Sequence, residues 1–150
     1  MRAAVTAVSR RLMTVIAVLA AAGIVVSSVS LQHHFAKSKT EYCDLGESFD
    51  CDIVNRSAYS SVGPIPVALI GILGYVALAG LSTVGRKRSD APKLLLGGAS
   101  AGLVFALYLT YVEARILGVW CILCLSSLAL IASITLLAGL VWIRERAGAY

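Results

Sequence analysis

The sequence predicts an all-α integral membrane protein, a four-transmembrane-helix bundle with a short surface half-helix in its first outer loop. Three observations predict it. Hydrophobic residues make up 59% of the chain and charged residues only 14%, a balance foreign to a soluble domain. Four apolar runs lie at about 12–31, 63–84, 93–112 and 119–143, each near the 20 or so residues that a helix needs to cross hydrocarbon. Finally, the basic residues partition by side. Nine of the thirteen Lys and Arg (Arg2, Arg10, Arg11, Arg86, Lys87, Arg88, Lys93, Arg144, Arg146) fall on one face, against Lys37, Lys39, Arg56 and Arg115 on the other. The positive-inside rule then puts both termini in the cytoplasm. The net charge of +5 follows this topology and needs no nucleic-acid partner; the surroundings are membrane lipid. All 150 residues read as one domain.

The first run, preceded by Arg2, Arg10 and Arg11 and followed by small residues from Ser27 to Ser30, has a rival reading as a cleaved signal peptide. Its length exceeds the usual apolar region of such a peptide. His33 and His34 at its outer end read as interfacial residues. The loop from about 32 to 62 is the one sizeable polar segment and faces the periplasm. Five of the eight acidic residues, Glu41, Asp44, Glu47, Asp50 and Asp52, crowd its middle and read as solvated charge. Cys43 and Cys51 interrupt them. Asp50 is a good N-cap for a short amphipathic helix starting at Cys51, with Ile53, Val54 and Ala58 on or near one face. Gly63, Pro64 and Pro66 end that helix and start the second span.

In the second and third spans, Gly71, Gly74 and the G-x-x-x-G pair Gly98 and Gly102 suggest close helix packing. Tyr75, Tyr108 and Tyr111 suggest interfacial anchors. Glu113 and Arg115 suggest an ion pair at the outer surface, which leaves the spans free of ionisable groups. The fourth span opens on Trp-Cys-Ile-Leu-Cys, residues 120–124. Cys121 and Cys124 lie one turn apart where a loop becomes a helix, so free N–H groups and the helix dipole favour a thiolate on Cys121. The topology places all four cysteines on the oxidising face. Sequence alone leaves their pairing open, and a closing structural disulfide remains a reading of Cys43 and Cys51. A zinc site from four thiols fits the spacing poorly, and no metal is expected.

These features together resemble the vitamin K epoxide reductase family, in particular its small bacterial members that make disulfides. The resemblance rests on the four spans, the two loop cysteines, the Cys-Asp-Ile-Val-Asn-Arg-Ser stretch with Ser57, the Gly-Pro-Ile-Pro-Val-Ala-Leu-Ile-Gly-Ile-Leu-Gly-Tyr opening of the second span, and Trp-Cys-Ile-Leu-Cys. It implies a bundle that holds a quinone, ubiquinone or menaquinone, near the C-x-x-C. The catalytic residues implied are Cys43, Cys51, Cys121 and Cys124, with Ser57 and Cys124 beside the quinone. Electrons would pass from a periplasmic thioredoxin-like protein through Cys43/Cys51 to Cys121/Cys124 and on to the quinone pool. The location implied is the bacterial cytoplasmic membrane, with the active site facing outward. Where vertebrate members read Thr-Tyr-Ala after the C-x-x-C, this sequence has Ser127-Leu128-Ala129. A leucine donates no hydrogen bond, so a quinone is the expected substrate and vitamin K epoxide a poor one. With no thioredoxin-like domain fused after Tyr150, the thiol partner is expected in trans.

Three other classes compete. A small multidrug transporter needs an ionisable residue inside a span to couple protons. A structural or assembly subunit would carry two inert disulfides. The other quinone-coupled four-helix family places its C-x-x-C in the first outer loop, the reverse of the order here.

Overall fold

The computed structural model describes residues 2–35 and 48–148, with side chains from residue 7 onward. Helix α1 (Arg2–Phe35) is followed by the half-helix α2 (Cys51–Arg56) and a small hairpin, β1 (Ser61–Val62) and β2 (Ile65–Pro66). Then come α3 (Val67–Thr83), α4 (Ala91–Val112) and α5 (Ile122–Gly148). The four long helices are each long and apolar enough to cross a membrane. In hydrocarbon every backbone group must be satisfied within its own segment, which makes uninterrupted helix the form such runs take.

The helices turn large apolar side chains outward as well as inward. Val25 on α1, Leu73 on α3, Val104 on α4 and Leu136 on α5 are 62%, 61%, 68% and 72% exposed. In water these mid-helix residues would each forfeit burial worth about 1.5–3 kcal/mol; against lipid chains they forfeit nothing. The buried side of α1 is a seam at steps of three and four: Ser9, Met13, Ile16, Ala20, Ser27 and Ser30. It packs on α3 and α5, and α4 in turn packs mainly on α5. Lipid offers no hydrophobic drive for helices to meet, so small residues that admit close contact carry the association. Gly23 lies in the same seam, and the Tyr75 ring occupies the space that a Cβ there would need. Gly71 meets Ser27, Gly98 meets Leu78, and Gly102 meets Ile131, while Gly74 meets no side chain within 4 Å.

The second span starts later than the sequence suggests, at Val67 rather than Gly63. The prolines account for the delay. A residue before proline is pushed away from helical geometry, so neither Gly63 nor Ile65 can open the helix. Gly63, at φ 63°, instead turns the hairpin, and Pro66 takes the capping position of α3. At the end of α4 the winding loosens into a π-turn, Glu113–Leu117, which closes on Gly118 at φ 68°. The Gly118 N–H returns to the Glu113 carbonyl at 2.9 Å. That turn delivers the chain to the cysteine pair of α5.

Candidate functional site

The site lies at the end of the bundle where α1 finishes and α5 starts. Asp50 caps α2, accepting the Asp52 and Ile53 N–H groups at 3.0 and 3.1 Å, and this places Cys51 as the first residue of the half-helix. A short backbone pairing joins this segment to the approach to α5. Phe49 bridges Trp120 in parallel; Trp120 N–H donates to the Ser48 carbonyl at 2.8 Å, and Asp50 N–H to the Trp120 carbonyl at 3.1 Å. The residues that follow each strand of this pairing are Cys51 and Cys121, and they bury together with Val54, 1% and 0% exposed. Asn55 ties them: its amide donates to the Cys51 carbonyl at 2.9 Å and reaches the Cys121 sulfur at 3.7 Å.

Cys51 is held in a disulfide, whereas Cys121 and Cys124 are free thiols. Cys43 lies outside the described residues. Cys121 stands just before α5 and acts as its cap, its carbonyl accepting Leu125 N–H at 2.9 Å and its sulfur accepting Cys124 N–H at 3.4 Å. The hydrogen bond from the Cys124 thiol holds the Cys121 thiol below its ordinary pKa. The Cys124 and Leu123 N–H groups add to this, and burial and the nearby Glu113 oppose it.

Below the cysteines a cavity of about 460 Å³ opens between the helices. All four long helices line it, with α3 and α4 supplying much of the wall. Its wall is mostly apolar, with Ser57, Tyr75, Glu113, Cys124 and Ser127 among the polar groups. Ser57 and Cys124, the two residues that the sequence reading placed beside a ligand, therefore line one cavity. The Ser57 hydroxyl donates to the Val54 carbonyl at 2.8 Å.

Several side chains stand elsewhere than the sequence suggested. His33 is buried, its Nδ1 3.1 Å from Asp52 Oδ1, and His34 Nδ1 donates to the Asn55 carbonyl at 2.6 Å. The two histidines clasp α2 to α1 rather than sit at an interface. Asp50 and Asp52 are buried too, at 8% and 6% exposure, because one is consumed as a cap and the other faces His33 and, at 3.8 Å, Arg56. Tyr75 is no membrane anchor. It reaches from α3 across Gly23 of α1 to α5, where its hydroxyl donates to the Ser127 carbonyl at 3.0 Å and lies 2.8 Å from the Ser127 hydroxyl.

Glu113 departs furthest. No ion pair with Arg115 forms; the carboxyl is 1% exposed, and its Oε2 accepts the Cys121 N–H at 3.1 Å. It lies in the membrane-crossing helix segment Ala91–Leu117, so the spans do contain an acid. The sequence signal was available in principle, since a lone acid one residue beyond an apolar run can lie inside or outside the span. The π-turn that draws Glu113 inward decides it. Among the described residues no His, Cys, Asp and Glu cluster has the makings of a metal site.

The sequence profile of the vitamin K epoxide reductase family matches residues 14–139. This stretch holds all four cysteines, the cavity and most of the four long helices, and the chain belongs to that family, a multi-pass membrane protein of redox function.

Proposed function

We propose that this family member is a membrane thiol:quinone oxidoreductase that supports disulfide formation. It takes electrons from a thioredoxin-like periplasmic protein and passes them through Cys43/Cys51 and Cys121/Cys124 to a quinone. The observation that carries the reading is the order of the sulfurs: Cys51 buried against Cys121, and Cys124, one turn further, in the cavity wall. A structural subunit with two inert disulfides does not account for unbonded Cys121 and Cys124 thiols, one of them in the cavity wall.

The cavity suits a quinone. Its volume falls in the usual range for small-molecule sites, about 300–1,000 Å³, and an apolar lining with few polar groups is their common character. The weak α3–α4 contact would let an isoprenoid tail leave toward lipid. When bound, the quinone supplies a two-electron sink.

The chain's residues then act in sequence. In the first half-reaction a partner thiolate attacks the Cys43–Cys51 disulfide at Cys43, and Cys51 leaves as thiolate. The second partner thiol resolves the mixed disulfide and departs oxidised. Cys51 attacks Cys121 in a Cys121–Cys124 disulfide, with Cys124 as the leaving thiolate, and Cys43 resolves Cys51 to restore the loop disulfide. Each exchange breaks one S–S bond and forms one. In the second half-reaction Cys121 and Cys124 re-form their disulfide, surrendering two electrons to the quinone. A lowered Cys121 pKa serves both halves, since the thiolate is the reactive form. For a two-electron couple a 30 mV difference is worth about 1.4 kcal/mol, so an acceptor more oxidising than the thiols by roughly 100 mV drives the relay one way.

The basic residues favour cytoplasmic termini and a site facing the periplasm of a bacterial cytoplasmic membrane. Incubating the purified protein with a reduced thioredoxin-like protein and ubiquinone or menaquinone analogues should give quinone reduction coupled to partner oxidation. Absence of turnover with every quinone would refute the proposal.

A further inference from the structure

We infer that Glu113 relays a proton between the Cys124 thiol and the substrate quinone, an assignment that rests on the thiol:quinone reading above. The carboxyl is buried in the cavity wall beside Cys124. Of its two oxygens, Oε2 accepts the Cys121 N–H at 3.1 Å, while Oε1 is fully buried and has no hydrogen-bond partner among the described residues. A buried polar atom left without a partner is unfavourable, and a membrane protein that retains such a residue in a span does so for function by default. The Cys124 side chain is close enough to interact with the carboxyl. Glu113 is thus held by one oxygen to one cysteine, and its other oxygen is available beside the second cysteine and the ligand space.

The chemistry requires such a group. Electrons delivered to a quinone in an apolar cavity without a proton would create a buried anion, which is costly. Three other polar side chains of the wall are committed elsewhere. Tyr75 donates to Ser127, Ser57 to Val54, and His34 Nδ1 to the Asn55 carbonyl, on the side of the cavity formed by α1 and α2. Starting from a Cys121 thiolate and a Cys124 thiol, formation of the Cys121–Cys124 bond releases two electrons and one proton. That proton enters the Glu113 carboxyl as another leaves it for a quinone oxygen, so Glu113 ends as it began. The second proton of the hydroquinone comes from water at the outer face. Dithiol, quinone and protons then balance.

The test compares Glu113→Gln and Glu113→Asp with the wild type, using pre-reduced protein in detergent and menadione as the quinone. Single-turnover quinone reduction is followed across pH, and Cys121 alkylation by iodoacetamide is followed without quinone. The glutamine keeps an oxygen for the Cys121 N–H but carries no exchangeable acid. It should slow quinone reduction at least about 100-fold, the lower end of the usual general acid–base contribution, and remove the pH dependence due to the carboxyl. Cys121 alkylation should not fall below wild type, since the carboxylate opposes the Cys121 thiolate. Aspartate, with a retracted carboxyl, should recover part of the rate and keep the pH-dependent limb. Glutamine within threefold of wild type would overturn the inference. So would aspartate no better than glutamine, or glutamine losing rate and Cys121 reactivity together, which is the mark of a merely structural residue. Should glutamine fail to insert, aspartate decides alone: a wild-type rate with no carboxyl-dependent limb overturns the inference. A wild type that reduces no quinone would instead refute the functional reading, and the relay with it.

Discussion

Two polar side-chain contacts at opposite ends of the bundle have almost the same length and different work to do. At the cysteine end His33 Nδ1 lies 3.1 Å from Asp52 Oδ1, with side chains 2% and 8% exposed. At the other end, in the connection between α3 and α4, Arg88 holds Asp90 at 3.2 Å with side chains 65% and 47% exposed. The Arg88 guanidinium, hydrogen-bonded through both Nε and a terminal nitrogen, keeps the Asp90 carboxyl below its usual pKa, yet water and salt screen the pair. Distance alone ranks neither contact. Burial makes the first a positional device, since it fixes α2, and with it Cys51, against α1. His33, Asp50 and Asp52 at the cysteine end are buried and committed to particular partners, whereas Arg88 and Asp90 of the connection are solvated.

The sharpest break of this contrast is Cys121→Ser. A hydroxyl of similar size should leave the bundle folded and take quinone reduction to background. Substantial residual turnover would mean that electrons bypass the buried pair. Next is Asp52→Ala, which takes the carboxylate from His33 and Arg56. It should lower stability by about 1–3 kcal/mol, measured as thermal unfolding in detergent, and slow exchange at Cys51. A loss of stability without any change in exchange would separate the clasp from the chemistry.

A smaller effect is read at Cys121 itself. Its alkylation rate should reach half-maximum below the ordinary thiol pKa of about 8.5, because its thiolate is favoured. Removing the thiol hydrogen bond with Cys124→Ala should move that midpoint upward; a midpoint unchanged or lower would assign the shift to another cause. Smallest of all is Arg88→Ala, expected to leave the apparent Tm and activity unchanged. A loss comparable to that of Asp52→Ala would abolish the distinction between the two ends.

The sequence carried the bundle well, because apolar length and basic-residue partition are properties of composition. Four runs became four helices, and the cap at Asp50 and the cysteines beside helix starts could be read from spacing. What escaped was whatever depended on two distant segments meeting. Nothing local in His33 announces Asp52, and nothing in Tyr75 announces that Gly23 leaves room for its ring and Ser127 receives its hydroxyl. Glu113 shows the limit best. It lies one residue beyond the expected edge of the third span, and a π-turn closing on a left-handed glycine carries it into the wall of the cavity. Local propensity does not foretell that turn, and an acid read as surface charge becomes part of the site. The residues 36–47, with Cys43 and the other acids of the loop, lie outside those described.

The central claim is that Cys51 and Cys121 exchange disulfides directly, and Cys124→Ala tests it with least intervening inference. With Cys124 gone, the Cys121 thiolate can attack the disulfide that Cys51 forms and release the other cysteine, and alkylation of that freed thiol keeps it from reversing the exchange. Their burial together is compatible with the Cα separation below about 7 Å that a disulfide requires. Non-reducing peptide mapping of the folded variant should therefore recover a crosslink between residues 51 and 121. A map in which Cys51 keeps its original partner and Cys121 stays free, in protein that has inserted and folded, would contradict the relay.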